Sequence, residues 1–138
     1  MAMAAPAAFA QDCAGGAGQV QCFGATATGV FASAFGANAV ASGNNTSAFG
    51  HLSTASGNNA TAVGDGSTAS GISTTAVGRG ALASGAYATA VGQGAQATST
   101  SASAFGSGAL ATGAYASAFG AGARALDEVQ AMAHPRFG

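Results

Sequence analysis

Three ionisable side chains are spaced so that they could act together. His51, Asp65 and Arg79 follow one another at intervals of fourteen residues. A histidine beside a carboxylate is a pair used in general acid–base catalysis, because the carboxylate fixes the orientation and tautomer of the imidazole. Catalysis of this kind also needs a nucleophile, and the chain offers none in a defined register with the pair. We therefore expect solvated side chains rather than a catalytic dyad, and predict that the protein is not an enzyme.

Two cysteines, Cys13 and Cys22, are the only other candidates for chemistry. Their spacing matches no zinc pattern, and one aspartate among the repeats cannot supply a calcium site, so we predict no metal and no cofactor. Residues 8–10 read Ala-Phe-Ala, a signal-peptidase pattern that predicts a signal-peptide remnant over residues 1–10. The alternative is a generic low-complexity N-terminus. An exported chain would join Cys13 to Cys22 in an N-terminal cap of residues 11–24, outside the repeats, whereas a reduced one would hold two thiols.

The overall composition excludes several classes of protein. Charged residues make up 5% of the 138 residues, against roughly a quarter in ordinary proteins. The formal net charge of −1 gives no electrostatic case for binding nucleic acid. No apolar run approaches the roughly 20 residues of a membrane-spanning helix. We therefore predict neither a nucleic-acid partner nor a membrane span.

Regularly spaced glycines and alanines show what must position these side chains. One glycine recurs every fourteen residues, at Gly36, Gly50, Gly64, Gly78, Gly92, Gly106 and Gly120. A second series lies halfway between them, interrupted once by Ser99, and every member of both series has alanine two residues earlier. A composition-driven linker has no reason to keep this phase over seven copies. The period predicts a solenoid in which each repeat forms one turn.

Each half of the repeat reads as a short strand followed by a corner. Small residues alternate with other residues over four or five positions, which is strand periodicity, and glycine plus two variable residues follow. A helix is excluded because a glycine every seventh residue costs about 1 kcal/mol each. We predict an all-β parallel roll of about seven turns over residues 25–125. His51, Asp65 and Arg79 then stack along one edge of it.

Side-chain alternation assigns the faces of the strands. The alanines of both strands face each other inside a thin roll, which leaves one bulky column outside. An alanine contributes only about 0.8 kcal/mol on burial, so we expect this column to be covered by another copy of the chain. The predicted interface residues are Phe35, Phe49, Val63, Val77, Val91, Phe105 and Phe119. The alternative places Phe and Val inside the roll and alanine in water.

The repeat resembles a known family. Residues 45–53, NTSAFGHLS, resemble the N-S-V-A-I-G-x-x-S motif of trimeric autotransporter adhesins, and residues 81–88, ALASGAYA, are similar to YadA-type head repeats. The resemblance covers about residues 25–125. It implies that the roll is left-handed, that the protein is a homotrimer, and that it lies exported on a bacterial cell surface or outer membrane.

The resemblance also implies adhesion to extracellular-matrix proteins such as collagen or fibronectin. The ligand-binding positions that it suggests are Asn45, Ser47, Ser53, Asn59, Thr61 and Ser67. Ser47 and Thr61 stand where the motif has valine, which weakens the transfer of collagen binding. Such adhesins continue into a stalk and a barrel anchor, whereas residues 126–138 predict only the start of a short helix. We therefore expect a head fragment or a short relative.

Two other functions are compatible with the repeat. A structural spacer in a surface fibre would use the same roll without binding a ligand. Threonine arrays on a flat solenoid face can also bind ice, and Thr26, Thr28, Thr54 and Thr68 form part of such an array. Val40, Leu82, Gln96 and Leu110 interrupt it.

Overall fold

The computed structural model describes residues 18–22 and 24–127. Throughout this part of the chain the regular structure is strand, without a helix. Strands of three residues alternate along it with strands of two residues, and one corner separates each strand from the next. They are β1 (Val20–Cys22), β2 (Thr26–Ala27), β3 (Ser33–Phe35), β4 (Val40–Ala41), β5 (Ser47–Phe49), β6 (Thr54–Ala55), β7 (Thr61–Val63), β8 (Thr68–Ala69), β9 (Thr75–Val77), β10 (Leu82–Ala83), β11 (Thr89–Val91), β12 (Gln96–Ala97), β13 (Ser103–Phe105), β14 (Leu110–Ala111), β15 (Ser117–Phe119) and β16 (Arg124–Ala125).

The odd-numbered strands form one parallel sheet and the even-numbered strands form another. We call them the first sheet (β1, β3 and so on to β15) and the second sheet (β2, β4 and so on to β16). Each sheet has eight strands, so the roll has eight turns rather than the seven predicted. The additional turn arises because β1 pairs with β3, Val20 opposite Ser33, before the predicted boundary at residue 25. From β3 onward partners are fourteen residues apart, as Ala48 is from Ala62.

Alanine fills the interior of the roll. The alanines of both sheets point inward and are almost completely inaccessible to solvent: Ala34, Ala48, Ala62, Ala76, Ala90, Ala104 and Ala118 in the first sheet, and Ala27, Ala41, Ala55, Ala69, Ala83, Ala97 and Ala111 in the second. Small residues at the corners complete the same core. The assignment of faces is confirmed, and the alternative with Phe and Val inside the roll is excluded.

Four buried hydroxyls are also accommodated in this core. Thr46, Ser53, Ser67 and Thr74 have no exposed surface. Each hydroxyl donates to the carbonyl of the glycine three residues earlier, at 2.7 to 2.9 Å. No buried side-chain polar atom in the described part of the roll lacks a hydrogen-bond partner. These hydroxyls therefore stabilise the corners without the penalty of an unpaired polar group.

The corners fall on two edges of the roll. The first edge consists of the corners that follow first-sheet strands, and the second edge of those that follow second-sheet strands. On both edges the ladder of backbone bonds between turns continues, since Gly66 N–H donates to His51 O at 2.9 Å and Asn59 N–H to Asn44 O at 2.8 Å. The second corner residue has φ of +54° to +67° wherever it lies between two complete turns. The roll is thus hydrogen-bonded around almost its whole circumference.

The two glycine series meet different requirements. Gly50, in the first series, has φ of +130°, a backbone conformation that disfavours other residues. Gly57, in the second series, does not have positive φ. A Cβ there would lie 1.9 Å from the carbonyl oxygen of Gly71 in the next turn. The second series therefore does not depend on a positive φ and is favoured by the close approach of successive turns, although Ser99 occupies one of its positions.

The N-terminal turn places one cysteine inside the roll. Cys22 ends β1 opposite Phe35 and is 1% exposed. It is disulfide-bonded. The expectation that the disulfide stands outside the roll is therefore wrong for Cys22. Its predicted partner, Cys13, lies outside the described residues, as do the predicted signal-peptide remnant (residues 1–10) and most of the predicted helix start (residues 126–138).

Candidate functional site

A regular apolar column lies on the outer face of the first sheet. Its seven members point away from the alanine core, and none is fully buried: Phe35, Phe49, Val63, Val77, Val91, Phe105 and Phe119. Two pairs of rings at its ends are stacked. The centroids of Phe35 and Phe49 are 4.9 Å apart with an interplanar angle of 5°, and those of Phe105 and Phe119 are 5.1 Å apart at 4°. The strand pleat and the parallel register together produce this continuous stripe.

A column of hydroxyl side chains runs beside the apolar column on the same face. The two columns are correlated turn by turn. A strand with Phe in the apolar column always carries Ser two residues earlier, and a strand with Val always carries Thr: Ser33, Ser47, Ser103 and Ser117 precede Phe, and Thr61, Thr75 and Thr89 precede Val. The larger apolar residue is thus matched with the smaller hydroxyl residue in all seven first-sheet strands from β3 to β15. The combined size of the two outward side chains therefore varies little from turn to turn.

The outer face of the second sheet shows no such matching. One of its columns bears a hydroxyl at every strand from β2 to β14: Thr28, Ser42, Ser56, Ser70, Ser84, Thr98 and Thr112. The other column is irregular: Thr26, Val40, Thr54, Thr68, Leu82, Gln96 and Leu110. Apolar and polar residues alternate there without a pattern, which interrupts any threonine array. The two outer faces of the roll therefore differ in chemistry, as the alternation in the sequence predicted.

The six predicted ligand-binding residues do not form one surface. Ser53 and Ser67 are fully buried and donate to Gly50 O and Gly64 O, so they are not available to an external ligand and that part of the prediction is wrong. Ser47 and Thr61 lie half-buried on the outer face of the first sheet, beside the apolar column. The motif places them in one short stretch of sequence, but strand alternation directs them to different sides.

The remaining two, Asn45 and Asn59, are exposed on the second edge beside two asparagines that sequence reasoning missed. Asn44 Oδ1 accepts the N–H of Val30, and Asn58 Oδ1 accepts the N–H of Asn44, both at 3.0 Å. Each of these side chains thereby bridges to the preceding turn. The recurrence of Asn-Asn fourteen residues apart was the signal that could have identified them, since amide side chains at equal positions of a solenoid lie one turn apart.

The charged side chains lie together on the first edge, as predicted. His51 Nδ1 is 2.7 Å from Asp65 Oδ1, and both side chains are more than half exposed. Asp65, Arg79 and Gln93 then line an open recess of about 370 Å³ whose floor is formed by three glycines. Among the residues that the structure describes, no group of three or more His, Cys, Asp or Glu could hold a metal ion. The exposed pair has the character of solvated corner side chains.

A search for membrane-crossing segments in the described part of the chain finds no helix with the length and apolarity to span a bilayer.

Comparison with protein families identifies one match along the roll. The family model described as "YadA head domain repeat (2 copies)" matches residues 23–39, 27–53, 41–67, 69–95 and 97–123. These segments extend from β2 to β15, with only residues 68 and 96 between them unmatched. No curated protein matches the chain. The matched segments are those that carry the alanine, glycine and Phe/Val columns.

Proposed function

The chain belongs to the YadA head domain repeat family, and from this premise we propose that it is the homotrimeric head of a trimeric autotransporter adhesin. The family is one of adhesin domains and not of enzymes. In this proposal the protein is exported to a bacterial cell surface, and three copies join through the outer face of the first sheet. The observation that carries the proposal is the outward apolar column on a roll built of head repeats.

The chemistry of the first sheet supports self-association. A stripe of seven Phe and Val residues that runs the length of the roll is the kind of exposed apolar surface that marks an interface. The matching of Phe with Ser and of Val with Thr keeps the outer surface level from turn to turn. This compensation in side-chain size is expected where both columns pack against a partner, because a gap or a clash at one turn would disturb the packing of the adjacent turns. A threefold arrangement supplies that partner from identical chains.

The thin core also supports coupling between folding and assembly. Burying an alanine contributes about 0.8 kcal/mol, while ordering the backbone of one residue costs about 1–2 kcal/mol. Each Phe or Val covered by a partner contributes about 1.5–3 kcal/mol. The column therefore contributes several times as much per residue as the interior does. Stability should consequently depend on the concentration of protomers.

In this proposal, adhesion uses the surfaces of the trimer that are not buried between the three copies. The second sheets, with their hydroxyl column, repeat the same small polar group at every turn and in every copy. Individual contacts with such groups are weak, and their number supplies the strength of attachment through avidity. We propose extended extracellular-matrix proteins, such as collagen or fibronectin, as the partners. Ser47 and Thr61 belong to the interface in this arrangement rather than to the adhesive surface.

Sedimentation equilibrium tests the assembly. Replacing both Val77 and Val91 by serine should dissociate or unfold the trimer, because it places two hydroxyls in the centre of the apolar column. The matched control replaces Ser70 and Ser84 by alanine on the second sheet and should leave the trimer intact. A folded monomeric wild-type protein, or a trimer unaffected by the valine changes, would contradict the proposed interface.

Attachment to surfaces coated with collagen or fibronectin tests the adhesive role. The trimer should be retained on at least one of them, and the dissociated valine variant should be retained far less. A structural spacer, the alternative function, would form the same trimer but would be retained on neither surface. The two experiments therefore separate the assembly from the activity.

A further inference from the structure

The second edge of the roll displays a restricted set of side chains. The second corner residue of each turn is aromatic, amide or hydroxyl-bearing, and the series reads Phe31, Asn45, Asn59, Ser73, Tyr87, Ser101 and Tyr115. No charged residue occupies either corner position of this edge between residues 30 and 115. The charged corner residues His51, Asp65 and Arg79 all lie on the first edge. The second edge is therefore neutral but rich in aromatic and hydrogen-bonding groups.

Comparison of the two edges shows that these side chains occupy costly positions. On the second edge φ of this residue is +54° to +61°, and on the first edge it is +57° to +67°. The first edge uses glycine in five of seven turns, at Gly66, Gly80, Gly94, Gly108 and Gly122, and a Cβ at any of them would meet nothing within 4 Å. Glycine is thus favoured on the first edge by the positive φ of the backbone and not by a lack of room for a side chain. The second edge never uses glycine at this position, although the backbone conformation is the same.

The two tyrosines are the most prominent of these side chains. Tyr87 is 63% exposed and Tyr115 is 76% exposed. Their backbones are fixed in the ladder, since each N–H donates at 2.8 Å to the preceding turn, at Ile72 O and Thr100 O. They lie two turns apart, or about 10 Å along the roll. Large apolar rings held in water at strained positions are the kind of outlier from which a functional hypothesis is drawn.

The amide groups add hydrogen-bonding capacity to the same edge. Asn44 and Asn58 use Oδ1 for backbone N–H groups. Across the described residues neither Nδ2 group makes a hydrogen bond, and the side chains of Asn45 and Asn59 make none. The edge thus presents an amide cluster in two adjacent turns and a tyrosine pair that begins two turns beyond Asn59. Tyr, Ser and Asn are the residues that adaptable recognition surfaces favour, because they combine rigid rings with versatile polar groups.

We propose that the second edge binds a neutral oligosaccharide chain that lies along the axis of the roll. The C–H faces of two pyranose rings stack on Tyr87 and Tyr115, and the hydroxyl of Ser101 lies in the turn between them. Further along, sugar hydroxyls accept hydrogen bonds from the asparagine amides. The absence of charge favours neutral sugars over sulfated or uronate chains, and the recurrence of exposed side chains at successive turns suits an extended chain rather than a terminal sugar in a pocket. This inference names a ligand class beyond matrix proteins and does not depend on the trimer interface.

Tyrosine fluorescence provides a direct test, because the chain has two tyrosines and no tryptophan. The full chain is titrated with linear β-linked hexasaccharides of glucose and of N-acetylglucosamine, and with a hexauronate as the charged counterpart. A neutral hexasaccharide should change the emission saturably, and its affinity should vary little with salt. The hexauronate should bind more weakly. Failure of both neutral probes at millimolar concentration, or preference for the uronate, would overturn the proposal.

Variants locate the site. Replacing both Tyr87 and Tyr115 by alanine should weaken binding by about tenfold or more, measured by calorimetry. The matched control is Leu52→Ala, which removes an exposed apolar side chain at φ of +57° from the first edge and should leave affinity unchanged. Equal effects of both changes would overturn the assignment of the edge. A change in sedimentation mass of the tyrosine variant would instead identify the edge as a contact between copies and would also overturn it.

Discussion

At the scale of single residues, the fold depends on glycine at defined positions of the repeat. Successive turns approach so closely at Gly57 that one methyl group would overlap a carbonyl oxygen. At Gly66 the same methyl group would reach open space, and only the positive φ favours glycine. Glycine is thus favoured at the two positions for different physical reasons, so replacing it should cost a different free energy at each.

Replacing Gly57 and Gly66 by alanine, one at a time, should distinguish the steric requirement from the conformational one. Gly57→Ala should lower the free energy of unfolding by about 2–3 kcal/mol, because the neighbouring turns must shift to admit a Cβ, although Ser99 occupies the same column once. Gly66→Ala should lower it by about 1 kcal/mol, the usual penalty of the left-handed conformation. Urea unfolding at one fixed protomer concentration measures both. Similar losses for the two variants would contradict the distinction.

Ser53 tests the role of a buried hydroxyl. Ser53→Ala should change stability by no more than about 1 kcal/mol, because Gly50 O still accepts the backbone N–H of residue 53 at 3.2 Å. Alanine already occupies the same column at Ala39 and Ala81. The variant should also attach to coated surfaces like the wild type. Reduced attachment without loss of stability would restore Ser53 as a ligand contact.

At the scale of strands, the two outward columns of the first sheet act as a unit. The correlation of Phe with Ser and Val with Thr is invisible in either column alone. It requires the pleat, which directs residues two apart to the same side. This pairing supports the proposal that the first sheet faces a partner.

A double-mutant cycle on β9 should reveal the pairing. Val77→Phe alone should overfill the interface and weaken trimerisation by about 1–3 kcal/mol. Adding Thr75→Ser recreates the Ser-and-Phe combination of the end turns and should recover a substantial part of this loss. Sedimentation equilibrium of the four proteins gives the coupling energy, which is expected at about 0.5–3 kcal/mol. Strict additivity would show that the two columns do not meet one surface.

Most of this architecture could be predicted because period and alternation are properties of the sequence. The fourteen-residue phase gave the turns, and the alternation gave the inward alanines and the outward Phe/Val column. Ser53 and Ser67 were named as ligand contacts from the linear motif, although strand alternation places both in the small columns that face the inside of the roll. The close approach at Gly57 could not be predicted, since it depends on the distance between turns. The bridging amides of Asn44 and Asn58 depend likewise on contacts between residues fourteen apart.

At the scale of the whole molecule, the roll is a one-dimensional stack. Each turn contacts only the turns on either side, and the end turns each lack one neighbour within the roll. The stability of such an array is approximately the sum of its turns and the interfaces between them. Opening is therefore easiest at the ends.

Hydrogen exchange should follow this order. The backbone amides of β7, β9 and β11 should exchange most slowly, and those of β15 and β16 considerably faster, because opening an end turn breaks one interface rather than two. Mass spectrometry of proteolytic fragments after timed exchange measures the gradient. Uniform protection along the roll would indicate that the trimer opens as a single cooperative unit.

The uniform register has a consequence for how such a protein can change over generations. From β3 to β16 every strand residue is equivalent to the one fourteen positions away in its register and in the side of the strand that it faces. Duplication or loss of any fourteen consecutive residues in that span would return each alanine and glycine to its own column, wherever the recombination began. The length of the roll could then increase or decrease in steps of about 4.8 Å. Length is thus a trait that selection can adjust without redesigning any contact.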